Sequence, residues 1–147
     1  PLAPAHLSRS AAAASRARRS QVYMLGLCLD PVLETGGVQA AAARAIERAE
    51  LVYSVIDASN GFYRNGVDGP SRSRMSVPFR VAPPSRSPAE AAELETTFLR
   101  EAEENGFRHI AGHPLFGGMR ASLYHGVPDA SVHALARFME RFRQRHA

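Results

Sequence analysis

The sequence predicts an α+β fold in which helices cover one face of a small, largely antiparallel sheet. Three segments carry apolar residues at helical spacing, and two segments alternate apolar with other residues as strands do. Along the chain they give the order helix, hairpin strands, helix, strand pair and helix. This order is typical of an α+β domain, and 147 residues suffice for one domain of ordinary size.

The first predicted elements begin with an apolar stretch at residues 22–29. Pro31 has no backbone N–H, so it is expected to interrupt or bend any helix that forms there. The pair Gly36-Gly37 predicts a turn, and a helix from about residue 38 to residue 56 follows it. Small and apolar residues recur in that helix at spacings of three and four, and they are Ala42, Ala45, Ala49, Val52 and Ile56.

A short strand and a longer one follow this helix. Residues 59–61 read Ser-Asn-Gly and predict a turn, after which residues 62–64 are a short strand. Residues 75–81 alternate, and their inward side chains are predicted to be Met75, Val77, Phe79 and Val81. Pro78 cannot donate a hydrogen bond within a sheet, which predicts an edge position or a bulge there.

The second predicted helix has clear signals at both ends. Ser87 is its N-cap, Pro88 its first residue, and Glu90 completes a capping box. The helix runs to Asn105 and stops at Gly106, because glycine adopts the left-handed conformation of a helix end at little cost. Its predicted buried residues are Leu94, Phe98, Leu99 and Ala102.

The last part of the chain predicts two strands and a helix. Residues 107–110 are a short strand candidate, residues 113–118 a loop, and residues 119–124 an alternating strand. Asp129 is predicted to cap the terminal helix. The inward stripe of that helix consists of Val132, Leu135, Phe138, Met139 and Phe142.

The absence of lysine excludes one class of chemistry from these residues. All 18 Lys and Arg positions are arginine. The chain therefore cannot form a Schiff base with a carbonyl substrate or with pyridoxal phosphate, nor a lysine-containing phosphate-binding loop. The single cysteine, Cys28, excludes an internal disulfide and every multi-thiolate metal site. Because Cys28 lies in an apolar run, it is predicted to be a small core residue.

The net charge lies at the start of the chain. Residues 1–20 contain four arginines and no acid, whereas residues 21–147 contain 14 arginines and 14 acids, so the first segment accounts for the formal charge of +4. Its Ala- and Ser-rich composition predicts a disordered leader at 1–20, similar to an organelle transit peptide, before a domain at 21–147. The neutral domain argues against nucleic acid as a partner. No apolar run reaches the ~20 residues of a membrane span.

Residues 113–124 hold the strongest candidate binding residues. His113 stands beside a Gly-Gly turn, and Arg120 lies among small and apolar residues on a predicted strand. A guanidinium there can bind a carboxylate through two parallel hydrogen bonds. There is also an alternative without a binding role: Arg120 points outward and pairs with a surface acid, and His113 is an ordinary loop residue. Spacing alone favours this alternative.

The other polar clusters indicate surface rather than a site. Glu101, Glu103 and Glu104 share a helix face with Arg100 and Arg108, which predicts a solvated face. No metal site is predicted, because three histidines lack the spacing of metal ligands, and they are His109, His125 and His133.

Several separated motifs resemble the phosphoserine aminotransferase family. Residues 117–124 read Gly-Gly-Met-Arg-Ala-Ser-Leu-Tyr and, with the preceding Gly112-His113, resemble the C-terminal signature of that family. Residues 72–80, 56–63 and 22–27 are similar to it as well, in the same order. The resemblance covers about residues 22–146. It implies the C-terminal small domain of a class V, fold-type-I aminotransferase.

The resemblance also implies a cofactor, substrates and site residues. It implies pyridoxal 5′-phosphate and the transamination of phosphoserine with 2-oxoglutarate in L-serine biosynthesis, by a cytoplasmic homodimer, or an organelle-targeted form if the leader is a transit peptide. The family's arginine that holds the substrate α-carboxylate corresponds to Arg120. Its histidine beside the distal phosphate or carboxylate corresponds to His113. No catalytic, cofactor-binding or metal-binding residue is carried over, and Arg72 and Arg74, which match the family, are assigned no catalytic role.

The sequence departs from the family at two places. Pro114 stands where the family has an arginine that helps to bind the distal anion, and residues 15–19 replace a family Asn-Thr-Pro-Pro segment.

Two hypotheses for function follow from the sequence. The first hypothesis is that the chain is a part of a phosphoserine aminotransferase that is inactive alone, because the cofactor lysine is not among these residues. The alternative is a non-catalytic truncated domain or interaction module that pairs with a full-length subunit.

Overall fold

The computed structural model describes residues 5–113 and 117–147, with side chains from residue 20 onward. It confirms an α+β architecture with a three-stranded antiparallel sheet. The compact units of the structure divide after Ala42 and are described separately. A single 3-10 turn at Gly69–Ser71 accompanies the main elements, which are α1 (Ala5–Glu34), α2 (Gly37–Asp57), β1 (Tyr63–Arg64), β2 (Ser76–Val81), α3 (Pro88–Glu104), β3 (Met119–Ser122) and α4 (Asp129–His146).

Helix α1 differs from the sequence prediction in two ways. Pro31 lies inside it, within four residues of its end at Glu34, so the missing N–H removes one hydrogen bond from the last turns without ending the helix. Cys28 is exposed, so its prediction as a core residue is wrong. The reason is that the apolar run around it also faces outward, with large exposed side chains at Val22, Tyr23, Met24, Leu25, Leu27 and Leu29.

The backbone of α1 is helical from Ala5, including residues 5–20 for which composition predicts disorder. Alanine has the highest helix propensity of all residues, and four consecutive alanines at 11–14 favour this local conformation. The division of the chain into a leader at 1–20 and a domain at 21–147 stays a prediction.

Helix α2 begins at the glycine turn that the sequence predicts. Gly36 and Gly37 have φ angles of 100° and 67°, in the left-handed region that only glycine adopts freely. Four of the five predicted inward residues are buried, and they are Ala45, Ala49, Val52 and Ile56. Ala42 is exposed, which corrects the prediction for that position.

The sheet has β2 in its middle. β2 pairs antiparallel with β1, with Tyr63 opposite Val81, and antiparallel with β3, with Phe79 opposite Met119. The alternation predicted for residues 75–81 is confirmed, because Val77, Phe79 and Val81 are buried and the residues between them are not. The inward side chains of the sheet pack against residues of α2, α3 and α4 in one core.

Pro78 occupies a place in β2 where a missing N–H costs little. Its partner Arg120 in β3 directs its own N–H to the Ile110 oxygen (2.7 Å), so the two strands exchange no hydrogen bond at this pair. The Pro78 carbonyl accepts a hydrogen bond from Asn65 Nδ2 (2.5 Å), just beyond the end of β1. Proline is tolerated because its nitrogen faces the side of β2 that β1 leaves unpaired.

The strand predicted at residues 107–110 does not form. His109 has a φ angle of 58°, which breaks an extended run, and the backbone pairing is limited to a bridge between Ala111 and Met119. The preceding turn is as predicted, because Gly106 has a φ of 86° and the Phe107 N–H donates to the Ala102 oxygen (2.9 Å).

Helix α3 carries the predicted capping box and the centre of the core. The Ser87 side chain accepts a hydrogen bond from the Glu90 N–H, and the Glu90 carboxylate accepts one from the Ser87 N–H. Phe98 is fully buried, and its ring centre lies 5.0–6.1 Å from four other rings, those of Tyr63, Phe79, Phe138 and Phe142. Leu94 and Ala102 are buried as predicted, and Leu99 is partly buried.

Helix α4 has the predicted inward stripe but a different start. Its five stripe residues, Val132, Leu135, Phe138, Met139 and Phe142, are all buried. Pro128 is the N-cap and makes no side-chain cap, so the prediction of Asp129 as the cap is wrong. Asp129 instead accepts a hydrogen bond from Nε of the buried Arg48 in α2 (2.5 Å), because a charged partner competes successfully for its carboxylate.

A closed loop leads into β3. The Gly112 N–H donates to the Gly118 oxygen and the Gly117 N–H donates to the His113 oxygen, both at 2.8 Å. A Cβ at Gly112 would lie 2.2 Å from the Gly117 oxygen and 2.9 Å from the Gly118 oxygen. Gly117 and Gly118 have φ angles of 64° and 68°. Glycine is therefore required at 112 for space and is favoured at 117 and 118 for backbone conformation.

Replacing Phe98 with alanine tests the core. Phe98→Ala removes a fully buried ring and leaves a cavity, so we expect the free energy of unfolding to fall by about 3–5 kcal/mol. Tyr124→Ala is the matched control, because Tyr124 is 58% exposed and its loss should change stability by no more than about 0.5 kcal/mol. Urea unfolding followed by circular dichroism measures both, and equal midpoints for the two variants would contradict the core assignment.

Replacing Gly112 with alanine tests the loop closure. Because the added Cβ meets two backbone oxygens that cannot move independently, we expect Gly112→Ala to lower the free energy of unfolding by about 1–3 kcal/mol. Gly126→Ala is the control, because a Cβ there has no atom within 4 Å. Urea unfolding of both variants is the measurement, and a Gly112→Ala chain as stable as the Gly126→Ala chain would show that the loop is not closed in this way.

Candidate functional site

Arg120 lies on the outer face of the sheet. Its neighbours Met119 and Ala121 are buried, so the alternation of β3 directs Arg120 to the opposite, exposed face. Its backbone is held on both sides, by the pairing with Pro78 and by the hydrogen bond from its N–H to the Ile110 oxygen (2.7 Å). The strand therefore presents the guanidinium from a fixed backbone position.

Arg120 has no acidic partner within the described residues, a property that it shares with Arg64, Arg74, Arg86, Arg137 and Arg141. Ion pairs hold many of the others, and these are Arg48, Arg72, Arg80, Arg100, Arg108, Arg143 and Arg145. Within residues 5–113 and 117–147, Arg120 makes no such pair. The surface-acid partner favoured by spacing alone is thus not found there. An exposed guanidinium of this kind can bind a carboxylate or phosphate in bidentate fashion.

His113 lies at the start of the loop whose end leads to Arg120. Its carbonyl accepts the Gly117 N–H, and its side chain is exposed. Pro114, where the sequence departs from the resembling family, lies outside the described residues. The structure thus places His113 and Arg120 at the two ends of one loop that closes through Gly112 and Gly118.

A concavity of about 500 Å³ lies beside Arg120. It is bounded by β3, by the segment after α3 and by the first turns of α4, and its polar lining includes Arg108, His109, Ser122 and Ser131. His113 is not part of its wall. Sequence reasoning missed this concavity, because its wall is formed by three segments that lie apart in the sequence.

Arg72 is occupied by structural contacts. Its guanidinium donates to both carboxylate oxygens of Asp57 (2.6 and 2.7 Å) and lies 4.5 Å from the ring centre of Tyr53. The hydrogen bonds from Arg72 lower the pKa of Asp57 and raise that of Arg72, whereas burial raises the pKa of Tyr53. These contacts join α2 to the segment before β2.

The acidic cluster of α3 is an ion-pair surface. Glu104 pairs with Arg100 (2.8 Å), Glu103 with Arg108 (3.5 Å), and the more buried Glu101 with Arg145 of α4 (2.7 Å). In the part of the chain that the structure describes, no group of three His, Cys, Asp or Glu side chains could hold a metal ion. No described helix is both long and apolar enough to cross a membrane.

Comparison with known sequences points to one group of enzymes. No protein-family model matches the chain. This chain is 46% identical over 124 residues to the phosphoserine aminotransferase of Xanthomonas euvesicatoria pv. vesicatoria. The aligned region covers 84% of this chain and 32% of that protein. The chain is 45% identical over 124 residues to the phosphoserine aminotransferase of Acinetobacter baylyi, with the same coverage.

Comparison with solved structures gives the same result. The phosphoserine aminotransferase from Bacillus circulans subsp. alkalophilus superimposes with a TM-score of 0.78 and 38% identity, over 86% of this chain and 33% of that one. The PLP-bound phosphoserine aminotransferase from Trichomonas vaginalis gives a TM-score of 0.66 and 30% identity, over 76% of this chain and 30% of that one.

The matches agree in extent as well as in kind. The chain spans about a third of the length of the curated relatives it matches. Sequence and structure comparisons select the same enzymes, and they agree with the resemblance of the Gly-His and Gly-Gly-Met-Arg motifs. The chain therefore belongs to the phosphoserine aminotransferase family, of which it corresponds to a partial, C-terminal-type portion.

Proposed function

We propose that this chain supplies the substrate-anion-binding part of a phosphoserine aminotransferase. The observation that carries the proposal is Arg120, an exposed strand arginine without an ion pair in the described residues, which, unlike Arg64, stands in the Gly-Gly-Met-Arg motif. In this role Arg120 binds the substrate α-carboxylate through two parallel hydrogen bonds. The family resemblance of residues 117–124 supports the assignment.

The substrates of this reaction require two anion-binding points. Phosphoserine and glutamate each carry an α-carboxylate and a second anionic group, a phosphate or a carboxylate, at the far end of the molecule. We assign the distal group to the neighbourhood of His113, which lies at the other end of the loop from Arg120. A neutral or protonated imidazole can donate a hydrogen bond to either anion.

The cofactor of the proposed enzyme is pyridoxal 5′-phosphate, which the related Trichomonas vaginalis structure binds. The donor set of this chain does not fit covalent attachment of that cofactor, because the basic side chains are all arginine and histidine and no lysine amine is present. The amine must come from outside these 147 residues. We therefore expect the chain alone to catalyse no transamination. We include in this proposal the homodimer and the cytoplasmic location that the family resemblance implies.

A second candidate function is favoured by the exposed apolar side chains of α1. Seven of these large side chains are 47–70% exposed, and they are Val22, Tyr23, Met24, Leu25, Leu27, Leu29 and Leu33. Exposed apolar surface of this kind favours association with another protein. In this second candidate the chain is a non-catalytic module that pairs with a full-length phosphoserine aminotransferase subunit.

A chimeric enzyme tests the first proposal. The 124-residue segment of the Xanthomonas euvesicatoria enzyme that aligns with this chain is replaced by the corresponding residues of this chain. We expect the chimera to transaminate phosphoserine. We expect Arg120→Lys to lower kcat/KM for phosphoserine roughly tenfold to a hundredfold, because lysine keeps the charge but loses the bidentate geometry. Coupled absorbance assays give kcat and KM separately.

The controls of this test lie on the same sheet and in the same loop. Arg64→Lys is matched to Arg120→Lys, because Arg64 is also an exposed strand arginine. Pro114→Arg restores the family's residue and should lower KM for phosphoserine, since a charge-assisted pair with a phosphate is regained. An active chimera in which Arg120→Lys and Arg64→Lys have equal kcat/KM would refute the role of Arg120.

Size-exclusion chromatography tests the second candidate. The 147-residue chain is run alone and with the full-length Xanthomonas enzyme. Because burial of the α1 apolar surface would drive association, we expect co-elution with the enzyme that is lost when Leu25 and Leu29 are both replaced by Ser. The same replacement at Ala12 and Ala13, which removes no large apolar side chain, is the control. A chain that elutes as a monomer in both runs would contradict the module hypothesis.

A further inference from the structure

Arg80 lies against the glycine turn that leads into the substrate-binding strand. A Cβ placed on Gly117 would lie 3.1 Å from Arg80 Nη2, and one placed on Gly118 would lie 3.1 Å from its Cγ and 3.4 Å from its Nε. The Arg80 side chain therefore occupies the space beside both glycines that a Cβ would enter. Arg80 itself is 56% exposed at the side chain, so it is not required for the core.

Glu95 of α3 holds Arg80 in this orientation. Arg80 donates from Nε to Glu95 Oε1 (3.1 Å) and from Nη2 to Glu95 Oε2 (3.2 Å), which fixes the plane of the guanidinium. The Glu95 side chain is 14% exposed. The hydrogen bonds to Glu95 raise the pKa of Arg80, whose charge is permanent in any case.

Glu95 is in turn anchored to the sheet backbone. Its Oε1 accepts the Val81 N–H (3.2 Å). β3 pairs with β2 only as far as Phe79, so the Val81 N–H has no strand partner on that side. The carboxylate takes the place of the missing strand, and Arg80 compensates its charge. The result is a continuous set of contacts from α3 through Glu95 and Arg80 to the Gly117–Gly118 turn.

We propose that Arg80 and Glu95 are positioning residues for the two anion-binding side chains, His113 and Arg120. The pair supports the turn at Gly117 and Gly118, and the hydrogen bonds of that turn hold the backbone of His113 and the start of β3. In this role the two residues act through the turn and not through contact with the substrate. This inference rests on the proposed function for its consequence in binding, but its structural part can be measured without any substrate.

Amide hydrogen exchange in the 147-residue chain tests the structural part. The amides of Gly112 and Gly117 report loop closure, and the amide of Val52 in α2 reports global stability. Arg80→Met keeps the aliphatic part of the side chain and removes the guanidinium. Glu95→Gln removes the charge but keeps an oxygen that can accept the Val81 N–H. We expect each variant to speed exchange at the two glycine amides roughly threefold to fivefold, while exchange at the Val52 amide stays unchanged. A change of roughly threefold to fivefold corresponds to the loss of one good exposed ion pair.

The double variant and a matched arginine make this test specific. Because Arg80 and Glu95 act as one unit, Arg80→Met combined with Glu95→Gln should exchange no faster than either single variant. Arg64→Met, on the neighbouring strand, should leave all three amides unchanged. Unchanged glycine exchange in Arg80→Met would overturn the inference. Equal acceleration at Val52 would overturn it too, because the pair would then serve only overall stability.

Kinetics of the chimera test the functional part. We expect Arg80→Met to raise KM for phosphoserine roughly threefold to fivefold with kcat within about twofold, since binding of ground state and transition state is weakened alike. Faster loop exchange with an unchanged KM would overturn the link to binding. This failure is distinct from failure of the proposed function, which would show as an Arg120→Lys chimera with unaltered kcat/KM whatever the loop exchange.

Discussion

The packing of Phe98 fixes which side of the sheet faces the helices, and the rest of the molecule depends on that choice. Its ring lies 5.7 Å from Phe79 on β2 and 5.0 Å from Phe142 on α4, so it joins three elements at one point. In a strand, neighbouring side chains point to opposite faces, and a register shift of one residue would exchange them all. With Met119 and Ala121 inside, Arg120 must be outside. The exposure of the candidate binding residue is thus a consequence of core packing.

The chain uses arginine for structural contacts that would otherwise be shared with lysine. The guanidinium fork makes two-point contacts with carboxylates, as in the pairs Arg72 with Asp57 and Arg80 with Glu95. Such pairs connect elements that lie apart in sequence, and each occupies its arginine. Arg120 has the same guanidinium group, but no carboxylate of the described residues forms an ion pair with it. A recognition role for this residue therefore does not require any structural pair to break.

The sequence was most informative where a structural feature produces a regular local spacing of residue types. The alternation of β2, the capping box of α3 and the stripe of α4 were all predictable, because each is recorded in local spacing. Features decided by distant partners were not. Asp129 reads as a helix cap until Arg48, 81 residues away, is placed beside it. Cys28 reads as core because its neighbours are apolar, although that whole run is exposed. The candidate site divides in the same way, because the outward position of Arg120 follows from alternation, whereas the support from Arg80 depends on a tertiary contact.

The two residues proposed to bind the ends of the substrate lie at the two ends of one loop, His113 at its start and Arg120 on the strand that follows it. His113 and Arg120 are seven positions apart, and the chain between them is closed by hydrogen bonds from Gly112 to Gly118 and from Gly117 to His113. These hydrogen bonds tie the backbone of His113 to the start of β3, which carries Arg120. Under the proposed function, a substrate whose α-carboxylate and distal anion bind these two residues must fit the separation that the closed loop allows. Pro114 belongs to this segment of the sequence and lies outside the described residues, and the family that the chain resembles has an arginine at this position. In that proposed role, a substitution in this loop is expected to alter substrate binding, whereas the core that holds Arg120 outward contains none of the described loop residues 112, 113, 117 and 118.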